Sequence, residues 1–178
     1  MRKLKMNELN RLSVDEFKHA DKKPIVLVLE NIRSLNNIGS IFRTADAFRL
    51  EKVILCGITA CPPHREIQKT ALGSTESVEW IYYKNAIDAV KDQLNKNYTI
   101  IALEQTDNST FLNEFTPEIE KKYVIILGNE VRGVSDDILK LAHFVVEIPQ
   151  FGTKHSFNVT VSTGIILWDM LLKMNFLK

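Results

Sequence analysis

The chain has 178 residues, 45% hydrophobic and 25% charged, a balance that suits one soluble domain burying its core without disulfides or a structural metal. A net charge of +1 excludes a protein that binds nucleic acid through bulk charge alone. No apolar run reaches the roughly 20 residues that span a bilayer. The opening MRKLKMNELNRL is charged throughout and lacks the apolar stretch of a secretory signal, so a cytoplasmic location is expected. Cys56 and Cys61 are too few for a tetrahedral zinc site and read as reduced thiols. The four histidines, at 19, 64, 143 and 155, show no metal-ligand spacing.

In chain order, residues 1–23 read as an N-terminal helical extension and 24–178 as a single domain. The extension carries seven basic against four acidic residues, which a solvated helix face explains as well as a phosphate-binding arm does. Ser13 and Glu16 stand in capping-box spacing before Phe17. Pro24 opens a strand at 25–29, followed by a helix from about 38 to 49 and a strand at 53–57. A short helix near 64–70 and a strand at 78–83 come next. Asn85 caps a helix at 86–95, with Ile87, Val90 and Leu94 on one face. Strands at 99–103 and 123–127 are separated by a short helical piece near 109–115. Ser135 caps a helix through Ala142, 144–148 is the last strand, and a long helix runs from about 158 to 174. Its Val161, Ile165, Trp168 and Leu172 form an apolar stripe.

Strands that alternate with helices, and are apolar on both faces, predict an α/β fold: a mainly parallel sheet with helices on both faces. Ligands of such sheets gather at the carboxyl ends of the strands. The loops after 25–29, 99–103, 123–127 and 144–148 are therefore the candidates for chemistry. After the first, Asn36, Gly39, Ser40 and Arg43 fall on one helical face, small and polar enough for an anion or a close backbone approach. An arginine paired with a nearby carboxylate explains that face equally well. After the third comes Gly128-Asn129-Glu130-Val131-Arg132-Gly133, a turn in which glycine permits close approach and unusual backbone angles. After the fourth comes Pro149-Gln150-Phe151-Gly152-Thr153-Lys154-His155-Ser156-Phe157-Asn158. With one glycine this loop is expected to be fairly fixed, and Ser156 and Asn158 also fit plain helix caps.

Together, the three segments resemble the SpoU (TrmH-type) family of RNA ribose methyltransferases in the knotted SPOUT superfamily. Asn37 and Arg43 match the family's first motif, N-x-G-x-x-x-R-T. Gly128, Glu130 and Gly133 match the second; Ile148, Pro149, Gly152, Ser156, Asn158 and Val159 match the third. KTALGSTESVEW (69–80) resembles the stretch between the first two motifs, and the likeness covers roughly 24–172. Gln150 departs from the family's usual Met, and Phe157 from its usual Leu.

The resemblance implies a C-terminal trefoil knot, a methyltransferase activity on 24–178, and S-adenosylmethionine held by the knotted loops. No Gly-x-Gly-x-x-Gly competes for that role. By carry-over, Leu103, Gly128, Ile148, Phe157 and Asn158 surround the cofactor, while Arg43, Asn37, Glu130, Ser156 and Asn158 form the catalytic set. The implied product is a 2′-O-methylated ribose in tRNA or rRNA, with tRNA favoured because no separate RNA-binding domain is recognisable. A homodimer is also implied, with the wide apolar surface of the last helix and the first-motif helix at its interface, and no metal. In the family, the first-motif arginine is often cast as the base. With a free pKa of about 13.8, a neutral guanidine at pH 7 costs roughly 9 kcal/mol. Arg43 therefore better binds the adjacent phosphate and stabilises a developing alkoxide, held by Ser156 and Asn37. The rivals are an RNA-binding protein without catalysis, disfavoured by the intact polar set, and a base-nitrogen methylase, which would carry other motifs.

Overall fold

The computed structural model describes residues 1–177. Seven strands form one sheet in the order β3-β2-β1-β6-β4-β7-β5, parallel at every pairing. They are β1 (Lys23–Glu30), β2 (Leu50–Cys56), β3 (Trp80–Tyr83), β4 (Thr99–Leu103), β5 (Thr110–Phe111), β6 (Tyr123–Leu127) and β7 (Phe144–Glu147). The helices are α1 (Val14–His19), α2 (Leu35–Ala47), α3 (Arg65–Ala71), α4 (Ser74–Ser77), α5 (Ala86–Asn95), α6 (Asp136–Leu139) and α7 (Val159–Lys173).

Alternation along the central strands sends side chains to two cores. Ile25, Leu27, Leu29, Val53, Leu55, Ile101 and Ile125 meet α2, α3 and α7 on one face. Val26, Val28, Ile54, Val124 and Ile126 meet α5 and α6 on the other. This is the predicted α/β arrangement, with strands apolar on both sides because both sides are covered. The chain starts in mid-sheet at β1, runs outward through β2 and β3, and crosses back to β4 and β6. The carboxyl ends of β1, β6, β4 and β7 therefore lie side by side, where ligand clefts form.

Several expectations change in detail. The helical piece near 109–115 is instead the two-residue edge strand β5, paired with β7. Leu112 N–H donates to the Glu147 carbonyl at 2.8 Å, and Leu112 and Phe115 are buried, so the segment covers the sheet edge. α2 begins at Leu35, three residues earlier than expected, because Ser34 caps it by accepting from Asn37 N–H at 3.3 Å. Asn85 occupies the N-cap of α5 but makes no side-chain cap bond; its amide donates to Asp88 at 3.0 Å. α6 ends at Leu139, short of Ala142.

The last helix is turned relative to expectation. Its buried residues are Thr163, Ile166, Leu167, Met170 and Leu171. Of the predicted stripe, Val161 is 49% exposed, Trp168 56% and Leu172 52%. At the other end of the chain, the Ser13–Glu16 capping box forms in both directions, and α1 buries Phe17 in the core.

Candidate functional site

Three loops, after β4, β6 and β7, enclose a cleft of about 560 Å³. Leu103, Gly128, Ile148, Phe157 and Asn158 all line it, as do Glu130 and Ser156. The β6 loop is a tight hairpin. Asn129 N–H donates to the Gly133 carbonyl at 3.0 Å, and Gly133 N–H returns the bond at 2.9 Å. A Cβ on Gly128 would fall 2.2 Å from backbone atoms of Gly133 and Val134, so this glycine is required by the hairpin itself. Gly133 has φ +68°, a conformation that favours glycine. Glu104 braces the closed turn by accepting from Val134 N–H at 2.8 Å.

Glu130 ties this hairpin to the start of α2. One carboxylate oxygen accepts from Arg33 N–H at 3.0 Å; the other accepts from Ser34 N–H at 3.1 Å and the Asn37 amide at 3.1 Å. The Asn158 amide in turn donates to Asn37 Oδ1 at 3.3 Å. One polar chain, Glu130–Asn37–Asn158, thus joins residues from all three motifs. Partial burial pushes the Glu130 carboxyl up, but the N–H groups of Arg33, Glu130 itself and Ser34, with the Asn37 amide, outweigh it. The net result lies below the usual carboxylate value. A carboxylate so occupied is a poor proton acceptor and a good clamp.

Asn158 also caps α7, its Oδ1 accepting from Thr160 N–H at 2.9 Å and Thr160 Oγ1 at 2.6 Å. Asn158 thus caps α7 and lines the cleft at the same time. Ser156 is exposed on the loop and has no side-chain hydrogen bond among the described residues. Among the described residues, one hydrogen bond ties the loop between Pro149 and Phe157 to the rest, from the Gln105 amide to the His155 carbonyl at 3.2 Å. Residues 151–158 are all exposed. That is looser than the single glycine suggested.

Arg43 is not brought into the cleft of its own chain. It stands exposed on α2, and among the described residues its guanidinium has neither a hydrogen bond nor an ion pair, with Ser156 and Asn37 or any carboxylate. The small face beside it is spent on packing: a Cβ on Gly39 would lie 2.1 Å from Thr70 Oγ1 and 2.3 Å from the Ile67 carbonyl of α3. The close backbone approach is thus between α2 and α3. Sequence reading missed Glu104 and Gln105, which line the cleft; the one signal was their position straight after a core strand. Cys56 and Cys61 are free thiols, and burial followed by Glu30 pushes Cys56 up to about 12. No three His, Cys, Asp or Glu side chains among the described residues gather as a metal ion requires. No helix of the described residues is long and apolar enough to cross a membrane.

The chain is similar to known RNA methyltransferases. An uncharacterized tRNA/rRNA methyltransferase of Borreliella burgdorferi is 30% identical over 152 residues, covering 85% of this chain and 65% of its own length. A tRNA (guanosine(18)-2′-O)-methyltransferase of the same organism is 29% identical, over 84% of this chain and 67% of its own. The AdoMet-bound rRNA methyltransferase of Sinorhizobium meliloti superposes with a TM-score of 0.78 at 25% identity, covering 91% of this chain and 60% of that one. The chain spans only 60–67% of the length of these relatives. The model of the SpoU rRNA Methylase family matches residues 24–168, a span that takes in all three motifs, and the chain belongs to that family.

Proposed function

We propose that the chain is an S-adenosylmethionine-dependent RNA methyltransferase acting on a ribose 2′-hydroxyl, with tRNA its more favoured substrate. The observation that carries this is the Glu130–Asn37–Asn158 chain, which gathers three motifs at the mouth of one cleft. The relatives' names point the same way: RNA 2′-O-methylation in one, bound AdoMet in another.

The cleft fits the cofactor. Its volume lies within the roughly 300–1,000 Å³ of small-molecule sites. Leu103, Ile148 and Phe157 supply apolar walls for an adenosine, and backbone around Gly128 supplies polar edges. Glu104, Glu130 and Glu147 line the same cleft, and their negative charge suits a sulfonium. When bound, the cofactor supplies a methyl group already activated for displacement by its positive sulfur.

The chain's own task is then placement, an effect that can be worth about 7–11 kcal/mol. Glu130 clamps the β6 hairpin to α2; Asn37 and Asn158 hold the mouth of the cleft. Arg43, charged and without an intrachain partner, binds the phosphate beside the target and stabilises the oxygen as its proton leaves. Because Arg43 lies outside its own chain's cleft, the active site is shared in a homodimer. Supporting this, α7 packs against α2 and exposes Val161, Trp168 and Leu172 as one apolar stripe. A two-fold contact there would carry one chain's Arg43 towards its partner's cofactor loop.

We also propose that 24–178 forms the methyltransferase domain, its C-terminal loops threaded as the family's knot. Residues 1–23 form an extension that docks through Phe17 and adds RNA contact through its basic excess. A cytoplasmic location goes with this reading. Mapping 2′-O-methyl sites in total RNA from cells with and without the gene tests the activity. One or more sites should vanish on deletion, and an unchanged map would refute it.

A further inference from the structure

The β6 hairpin has a second cleft on its other side, of about 680 Å³. Asn129, Val131, Arg132 and Gly133 line both clefts, so the hairpin is a thin shared wall. Two arginines line it: Arg33 from the loop just ahead of α2, and Arg132 from the hairpin. Neither guanidinium has a hydrogen bond or ion pair among the described residues. The cleft does contain two carboxylates, but neither pairs with these arginines. Glu30 is 4% exposed and accepts from Ser135 N–H at 3.0 Å; Asp136 lies in the first turn of α6.

Both arginines spring from pinned backbone. Arg33 N–H is held by Glu130 at 3.0 Å, and Arg132 N–H by Asn129 Oδ1 at 3.1 Å. Their charges are thus aimed from fixed points, which lowers the ordering cost of binding an anion. Beside them two apolar side chains are open to solvent, Ile58 at 66% and Val131 at 78%. Free guanidiniums next to apolar walls, one hairpin away from the reacting centre, match a nucleotide: phosphate on the arginines, ribose or base against Ile58 and Val131.

We infer that this second cleft is a subsite for the RNA nucleotide adjoining the methylated one. Arg33 and Arg132 grip its phosphate, and Glu130 fixes the distance between target and neighbour by holding both sides of the wall. The inference rests on the reading that the substrate is RNA. Its role is placement of the strand, separate from the transfer step.

The test uses the full chain, with bulk tRNA from cells lacking the gene as probe and rRNA fragments in a second arm. Arg33→Ala and Arg132→Ala should each weaken RNA binding about tenfold or more. Together they should lower the salt slope by about 0.7–0.9 for each phosphate no longer neutralised. Affinity for S-adenosylhomocysteine should not change in Arg33→Ala, whose side chain lies outside the cofactor cleft, and neither variant should lower the melting temperature. Arg33→Lys with Arg132→Lys should restore the salt slope but only part of the affinity, since an ammonium lacks the planar fork. Lys121→Ala with Lys122→Ala, at the amino end of β6 and so at the opposite end of the strands from the clefts, is the charge-matched control and should have little effect. RNA binding by the arginine double variant within twofold of wild type would overturn the subsite while leaving the methyltransferase reading intact. An equally large drop in the control would also overturn it, in favour of diffuse charge. If the unaltered chain neither binds nor methylates either RNA, the substrate reading falls and the subsite with it.

Discussion

Replacing Glu130 by Gln changes one oxygen for an amide while keeping the side chain's shape. The carboxylate accepts three bonds from other residues, Arg33 N–H, Ser34 N–H and the Asn37 amide. Gln has one acceptor oxygen, so at least one of those donors would face an NH2 group and lose its partner. Hydrogen bonds to charged groups contribute about 1.5–3 kcal/mol each. Glu130 is exposed, and solvent competition brings the figure to about 1 kcal/mol per bond. Removing one or two bonds then costs about 1–2 kcal/mol, and a chain of this size should melt about 2–8 °C lower. The pH dependence fixes the sign. The folded-state pKa lies below the ordinary value, so the carboxylate's contribution is fully present above the unfolded pKa of about 4.3. It is lost as pH falls through the folded value. Scanning calorimetry of both proteins should give a constant gap between pH 6 and 8, closing only under acid conditions below that range. Methyl transfer by Glu130→Gln should fall without removing any titration from the neutral pH–rate profile. A variant as stable as wild type at pH 7, or a gap that widens on acidification, would refute the clamp.

Arg43→Ala should abolish methyl transfer while leaving affinity for S-adenosylhomocysteine nearly unchanged by calorimetry, and Arg43→Lys should also be poor. Mixing Arg43→Ala with Asn158→Ala chains under subunit exchange should restore activity, since one shared site per mixed dimer is intact; silence after verified exchange would place each site within one chain. Trp168→Glu puts a charge in the exposed stripe of α7 and should halve the mass seen by light scattering; a dimeric variant, or a monomeric wild type, contradicts the interface. Gly128→Ala drives a Cβ into the Gly133–Val134 backbone and should cost about 1–3 kcal/mol, with weaker cofactor binding. Wild-type melting and affinity in that variant would show the hairpin to be compliant.

The central strands were legible because burial on both faces demands continuous apolar runs. β4 and β6 fall on the predicted 99–103 and 123–127. Caps were legible where one side chain meets one backbone group, as at Ser13. β5 was not, because a two-residue edge strand is defined by its partner β7 and leaves no period of its own. The orientation of α7 was hidden for the opposite reason. It is apolar nearly all round, so two stripes compete and only packing on α2 and the sheet selects Ile166, Leu167, Met170 and Leu171. In the candidate site, Glu130, Asn37 and Asn158 were found as motif matches, but their hydrogen-bonded chain spans separations of 93 and 121 residues, beyond any local pattern. Arg43 shows the limit of helical-face reasoning: spacing placed it beside Gly39 correctly, yet that face packs against α3 and leaves the arginine outside its own cleft.

Product chemistry tests the methyl transfer directly. The purified chain is incubated with S-adenosylmethionine carrying an isotopically labelled methyl group and RNA from cells lacking the gene. The RNA is then digested to nucleosides and resolved by mass spectrometry. Label should appear in a nucleoside whose fragmentation yields an unmodified base and a methylated ribose. Label retained on the base would place the chain among base methylases, and no label in any RNA fraction, with the cofactor bound, would contradict catalysis altogether.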